Sequence, residues 1–176
     1  MSKQYSSQLA DFLIYYVKAC DYDYQFKQDS GIIEFDLSIE AKLSKIQRIH
    51  FSILIEEYGF IVLGGINLDA QEAVRDEIME YLNFVNYIAD VGCFEFNIAT
   101  GNFRYKIAVD CGNRTISTQL VYHCIFTTYK RYVKYGDHLL RILVGAETAE
   151  EAIAQIQEKK RQITIRKKEG YKHEQT

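Results

Sequence analysis

Two alternating runs around a short turn constrain this chain more than any other feature. Phe94, Phe96 and Ile98 alternate with Glu95 and Asn97. Phe103, Tyr105, Ile107 and Val109 alternate with Arg104, Lys106 and Ala108. Successive side chains of a strand point to opposite faces, so each apolar set shares one face. Thr100-Gly101-Asn102 supplies the turn between them. Pairing Ile98 with Phe103 puts Glu95 opposite Lys106 and Asn97 opposite Arg104 on the outer face. An opposite-charge cross-strand pair adds about 0.2–1 kcal/mol.

Helices flank this hairpin. Asp69 with Glu72 three residues on has the form of a capping box, and Val74, Ile78, Leu82, Val85 and Ile88 follow as one stripe. Gly92 is placed to end that helix in a left-handed conformation. A second helix is predicted from Thr115 to about Leu143, with a break near Gly136 and a stop at Gly145. Thr148 and Glu151 form a capping box for a last helix containing Ala152, Ile153 and Ile156.

The first half reads as a helix followed by strands. Leu9, Leu13, Val17 and Cys20 recur at helical spacing behind a Ser6 or Ser7 cap. Asp21–Phe26 forms a short strand, and Gln28-Asp29-Ser30-Gly31 a turn. Ile33, Phe35, Leu37 and Ile39 alternate with polar residues, as do Ile49, Phe51, Ile53 and Ile55. Glu57-Tyr58-Gly59 connects the latter to Phe60–Ile66, which is apolar on both faces. The sequence predicts a two-layer α+β fold, a curved antiparallel sheet packed on helices in the order α-β(3-4)-α-β(2)-α(2).

Composition sets the class. The 176 residues are 48% hydrophobic, enough for one core without metals or staples. A net charge of −3 provides no field to recruit nucleic acid or an anionic membrane. The longest apolar run, Phe60–Ile66, is far short of the ~20 residues of a membrane helix. The N-terminus, with Asp11 inside its apolar run, does not read as a signal peptide. Residues 1–158 are assigned to one domain and 159–176 to a basic tail that frays. Fourteen tyrosines suit either interface rims or core edges.

Candidate chemistry is sparse. Cys20, Cys93, Cys111 and Cys124 form no CxxC and pair with no histidine at zinc spacing. Cys93 and Cys111 lie on neighbouring predicted strands that could bring them close, although reduced thiols fit better. His50, His123, His138 and His173 fall in separate elements. His123 and Cys124 are adjacent on a helix, so their side chains diverge by about 100°. Gly64-Gly65 ends a strand and reads as close packing or a bulge rather than an anion loop. The Asp21/Asp23 and Glu56/Glu57 pairs read as polar turns. Lys159, Lys160, Arg161, Arg166, Lys167, Lys168 and Lys172 make the tail basic. They read as a solvated helix end rather than a nucleic-acid contact. No catalytic, metal or cofactor site is assigned to any residue, and no cofactor is expected.

The order of elements resembles the secretion-chaperone-like fold, and particular stretches resemble the YbjN family. Leu82-Asn83-Phe84-Val85-Asn86 is similar to that family's LNxxN stretch at the end of the middle helix. Gly92-Cys93-Phe94-Glu95-Phe96 is similar to the start of its hairpin. Gly136-Asp137, Leu143-Val144-Gly145 and Thr148-Ala149-Glu150-Glu151-Ala152 are similar to its C-terminal signature, without the usual proline. The resemblance spans about Ser6 to Gln157. It implies a bacterial cytoplasmic protein, often dimeric, related to regulators and to chaperones that bind extended segments.

The expected function is a non-catalytic protein-interaction or chaperone-like module that binds a segment of a partner protein. The alternative is a small-ligand sensor or enzyme with a pocket between sheet and helices. No nucleic-acid or membrane partner is expected. A homodimer is expected because helices on one side of the sheet would leave one apolar face of Phe60–Ile66 bare, the alternative being that the long helix from Thr115 or the last helix covers that face within one chain.

Overall fold

The computed structural model describes residues 5–40, 42–112 and 114–173, without the side chains of 166–173. Helix α1 (Ser7–Ala19) leads into strands β1 (Tyr24–Lys27), β2 (Ile32–Ser38), β3 (Arg48–Ile55) and β4 (Gly59–Gly65). A single 3-10 turn, Glu72–Val74, opens α2 (Arg75–Tyr87). Strands β5 (Cys93–Phe96) and β6 (Phe103–Asp110) precede α3 (Thr118–Leu143) and α4 (Ala149–His173). All six strands join one antiparallel sheet in the order β1-β2-β3-β4-β6-β5. This is the two-layer α+β fold that the sequence predicts, with four strands in the first half.

Alternation decides which face the helices cover. Ile33, Ile53, Val62 and Ile107 form one cross-strand row, and Phe35, Phe51, Gly64, Tyr105 and Phe94 form the next. Apart from the glycine these are core residues, and the helices pack over them. Gly64 lets α3 approach the sheet closely. A Cβ there would overlap the Thr128 methyl, and Tyr132 donates its hydroxyl to the Gly64 carbonyl at 2.8 Å. The predicted close packing at this glycine is what the structure shows. Four tyrosines, at 81, 105, 132 and 135, are fully buried, so much of the tyrosine excess is core.

Several expectations are corrected. The hairpin register is shifted by two residues. Phe96 pairs with Phe103 and Glu95 with Arg104, and Ile98 is 54% exposed in the turn. Asn97 sets the wider turn: its Oδ1 accepts from the N–H groups of Ala99 and Thr100 at 3.0 and 3.3 Å. A shift of two keeps every side chain on its expected face. Glu95 therefore still meets Lys106, at 2.8 Å across the diagonal, and also Arg104 at 2.8 Å.

The Asp69/Glu72 capping box does not form. Asp69 accepts instead from the Asn102 carboxamide at 3.1 Å, and the Ala70 N–H donates to the Gly101 carbonyl. The hairpin turn has taken over this segment, and α2 starts at Arg75 with no side-chain cap. Gly92 is left-handed, φ +71°, but lies beyond the end of α2 at Tyr87. It turns the chain into β5, where a Cβ would come within 2.7 Å of the Lys106 carbonyl oxygen.

Helix α3 does not break at Gly136. The missing side chain makes room for Ile46 of the β2–β3 loop. Asp137 anchors the same loop, accepting from the Ser44 hydroxyl and the Lys45 N–H, both at 2.7 Å. Gly145, φ +68°, ends α3 as expected, with Gly145 and Ala146 N–H groups donating to the Ile142 and Arg141 carbonyls. The Thr148/Glu151 box forms with both reciprocal bonds, at 3.0 and 3.2 Å. Helix α4 is continuous to His173, and from residue 157 to 165 no residue is buried.

Candidate functional site: the uncovered face of the sheet

The second face of the sheet carries the residues that alternate with the core. Ile32, Leu54, Ile61 and Ala108 form one row across four strands. The next row is Gln25, Glu34, Ser52, Leu63, Lys106 and Cys93, followed by Asp36, His50, Gly65, Arg104 and Glu95. Of these, Ile32, Leu54 and Ile61 are half-buried, Ala108 is exposed, and only Leu63 is buried, at 8% exposure. The buried residues of all four helices join the core on the opposite side, and Ile32, Leu54, Ile61 and Ala108 are not among the residues packed against it, so within one chain no described helix covers this apolar row.

The charges on this face are ordered by strand. The β2 side holds Glu34, bonded to Lys27 at 2.6 Å, and Asp36, which meets His50 Nδ1 at 2.9 Å and Arg48 at 3.5 Å. The β6 side holds Arg104 and Lys106, both on Glu95. Bonds from Lys106 and Arg104 hold the Glu95 carboxyl below its ordinary value against the opposing effect of burial. On this face strand β2 itself is thus acidic and strand β6 basic, each flanked by opposite charges on its neighbours, Lys27 and Arg48 beside β2 and Glu95 beside β6, with an apolar strip along one end.

Gly65 leaves a gap in the middle of the third row. A concavity of about 530 Å³ opens over it, floored by Ser52, Leu63 and Gly65 and walled by His50, Arg48 and Arg104. Gly64 and Gly65 thus serve opposite faces, one admitting a helix and the other forming a hollow. Chemically the hollow offers a histidine–carboxylate pair and two guanidinium groups. His50 Nδ1 is engaged by Asp36, and among the described residues no hydrogen bond joins the Ser52 hydroxyl to His50.

The structure separates the other residues of interest. His123 is exposed on α3. His138 is buried, its Nδ1 2.9 Å from Glu147 Oε2. Arg141 donates to both Glu147 oxygens at 3.0 and 3.1 Å, and Gln155 to Oε1 at 2.8 Å. Arg141 also lies 2.9 Å from His138 Nδ1. One nitrogen cannot donate to the carboxylate and accept from Arg141 at once, and the carboxylate is the stronger partner for both. Sequence reading missed this cluster because its members face each other only across the Gly145 turn. It joins α3 to α4 and buries its one carboxylate under three donors.

Cys93 and Cys111 do not approach each other. Cys93 is opposite Lys106, while Cys111 lies beyond the far end of β6, and all four cysteines are free thiols. Burial raises the Cys124 thiol pKa to about 11, which makes it a poor nucleophile. Asp21 sits in the turn after α1, and Glu56 and Glu57 in the turn between β3 and β4. Arg161 pairs with Glu158 at 3.0 Å. The side chains of Arg166, Lys167, Lys168, Lys172 and His173 lie outside the described residues. Among the described residues no cluster of His, Cys, Asp and Glu could hold a metal ion, and no helix is long and apolar enough to cross a membrane.

Comparison with family models, with curated proteins and with solved structures finds no significant match to this chain.

Proposed function

We propose that this protein is a non-catalytic interaction module whose working surface is the uncovered face of the sheet and whose partner is a protein. The observation that carries this reading is the Ile32–Leu54–Ile61–Ala108 row with Leu63 beside it. A contiguous apolar patch bordered by charge is the usual character of a protein-binding surface. Small-molecule sites are concave and bury most of their ligand. This face is broad, and its charged groups are already paired within the sheet. The resemblance to the YbjN family and to secretion chaperones belongs to the same reading, with a cytoplasmic, bacterial setting and a regulatory or chaperone-like role. A second reading, a small-ligand sensor, draws on the hollow over Gly65, which opens on this face rather than between sheet and helices.

The test compares affinity capture by the native protein, by Ile61→Arg and by Tyr87→Arg, the last altering an 88% exposed residue on α2. A protein retained by the native chain and Tyr87→Arg but lost by a folded Ile61→Arg supports the interaction reading. A protein retained equally by all three moves the surface elsewhere. A stoichiometric small molecule in native mass spectra, lost on Arg104→Ala, favours the sensor.

A further inference from the structure

The strand order gives the uncovered face a symmetry of its own. Its six strands divide evenly about a line between β3 and β4, with β2 and β6 equidistant on either side. Turning a second copy over about a two-fold axis along that line lays β3 on β4, β2 on β6 and β1 on β5. Each cross-strand row stays over itself. Leu54 then faces Ile61 of the other copy, and Ile32 faces Ala108. Glu34 faces Lys106, Asp36 faces Arg104, and His50 faces the hollow at Gly65. Apolar rows meet, acid meets base in two rows, and a ring meets a gap.

We propose that a second copy of this chain covers the face in that arrangement, which rests on the interaction reading above and names its partner. The alternative two-fold, across the strands, fails on the same residues. Centred on the middle row it puts Glu34 on Glu34 and Lys106 on Lys106, and it lays the apolar row over the charged one. Like charges brought together at an interface repel and oppose association. Packed sheets cross at about 30° rather than zero. At β2 and β6, about 7 Å from the axis for a strand spacing of about 4.8 Å, that twist shifts partners by about 4 Å. Lys and Arg side chains span such a shift. The six strands, of four to eight residues each, project about 600 Å² at a rise of about 3.3 Å and a spacing of about 4.8 Å, of the order of the ~800 Å² each partner contributes to a standard interface.

Glu34 and Lys106 are already paired within the chain, to Lys27 and Glu95. The test must therefore separate contacts between chains from those within one. Glu34→Lys and Lys106→Glu are made singly, in separate full-length chains, and folding is checked by circular dichroism. Light scattering at micromolar concentration should give twice the 20.5 kDa chain mass for the native protein. Each single variant sets like charges together twice across the axis, which should raise its dimer dissociation constant at least about tenfold. Mixing the two variants restores both opposite-charge contacts in a heterodimer, while every within-chain defect remains. Recovery of dimer in the mixture is the expected result. A native protein of one chain mass overturns the proposal, as does a native dimer whose single variants associate normally or whose mixture does not recover. If the native protein is monomeric but Ile61→Arg still abolishes capture of another protein, the interaction reading survives and only its partner was wrong.

Discussion

The Asn86 carboxamide bonds both backbone groups of Phe94, donating to its carbonyl at 2.9 Å and accepting from its N–H at 2.7 Å. One side chain at the end of α2 thus takes the place of a neighbouring strand on the outer edge of β5. Unpaired strand edges invite other chains, and at Phe94 this edge is closed from within. Asn86→Ala should cost about 1–2 kcal/mol through the two lost bonds, measured as a lower urea midpoint with an unchanged slope. Asn86→Asp should cost at least as much, since its second oxygen would face the Phe94 carbonyl.

The turn after α1 stores a removable strain. Asp21 has φ +55°, and its N–H and that of Tyr22 donate to the Lys18 and Val17 carbonyls. Glycine is the residue that takes this position without a Cβ penalty. Asp21→Gly should therefore raise the thermal midpoint, by about 0.5–1 kcal/mol of stability at that temperature.

Two positions on the core face of the hairpin should respond unequally to truncation. Ile107 is 4% exposed in the shared core, whereas Phe96 is only half-buried beside the turn. Ile107→Ala should cost about 2–4 kcal/mol. Phe96→Ala should cost clearly less, despite the larger side chain, because part of its ring is already in water. Equal shifts in denaturant midpoint would mean that the turn is narrower than the one described.

Glu95 provides a pH signature. Its pKa is lowered in the folded chain by Lys106 and Arg104, so its contribution is complete above the ordinary glutamate value of about 4.3. That contribution disappears as pH falls through the lower, folded value. Glu95→Gln should cost no more than about 1 kcal/mol at pH 7, because the cluster is partly solvated. The difference from the native protein should shrink to nothing under acid conditions in paired thermal melts.

Glu147 should be the most costly charged residue to remove. With its carboxylate gone, His138 and Gln155 lose a buried acceptor and Arg141 is left beside them. Glu147→Ala should cost about 2–3 kcal/mol, with Arg141 still partly hydrated. The loss should be read by calorimetry near neutral pH.

The sequence made the strands legible because alternation is a local property, and it made the α3 and α4 boundaries legible because Gly145 and Thr148 act on their own neighbours. It did not reveal the hairpin register, since pairings two residues apart satisfy the same alternation and the decision fell to Asn97. Gly136 looked like a break because its partner, Ile46, is distant in sequence. Asp69 looked like a cap because nothing nearby shows that Asn102 competes for it. The uncovered face was anticipated from Phe60–Ile66 alone. Its charge order was not, because Glu34 and Lys106 enter one row only once β4 is known to pair with β6.

That pairing of β4 with β6 also sets how the chain can assemble. Every other strand neighbour in the sheet is a hairpin or an adjacent strand in sequence, which closes short loops quickly. The β4–β6 seam alone must wait for residues 66–102 to come back, so the sheet should form in two halves and join last along this line. Until then β4 presents a bare edge to every chain in the vicinity. The β5–β6 hairpin of another molecule carries the same register and would fit it equally well. Crowded refolding should therefore yield strand-exchanged dimers, and dilution before the seam closes should suppress them.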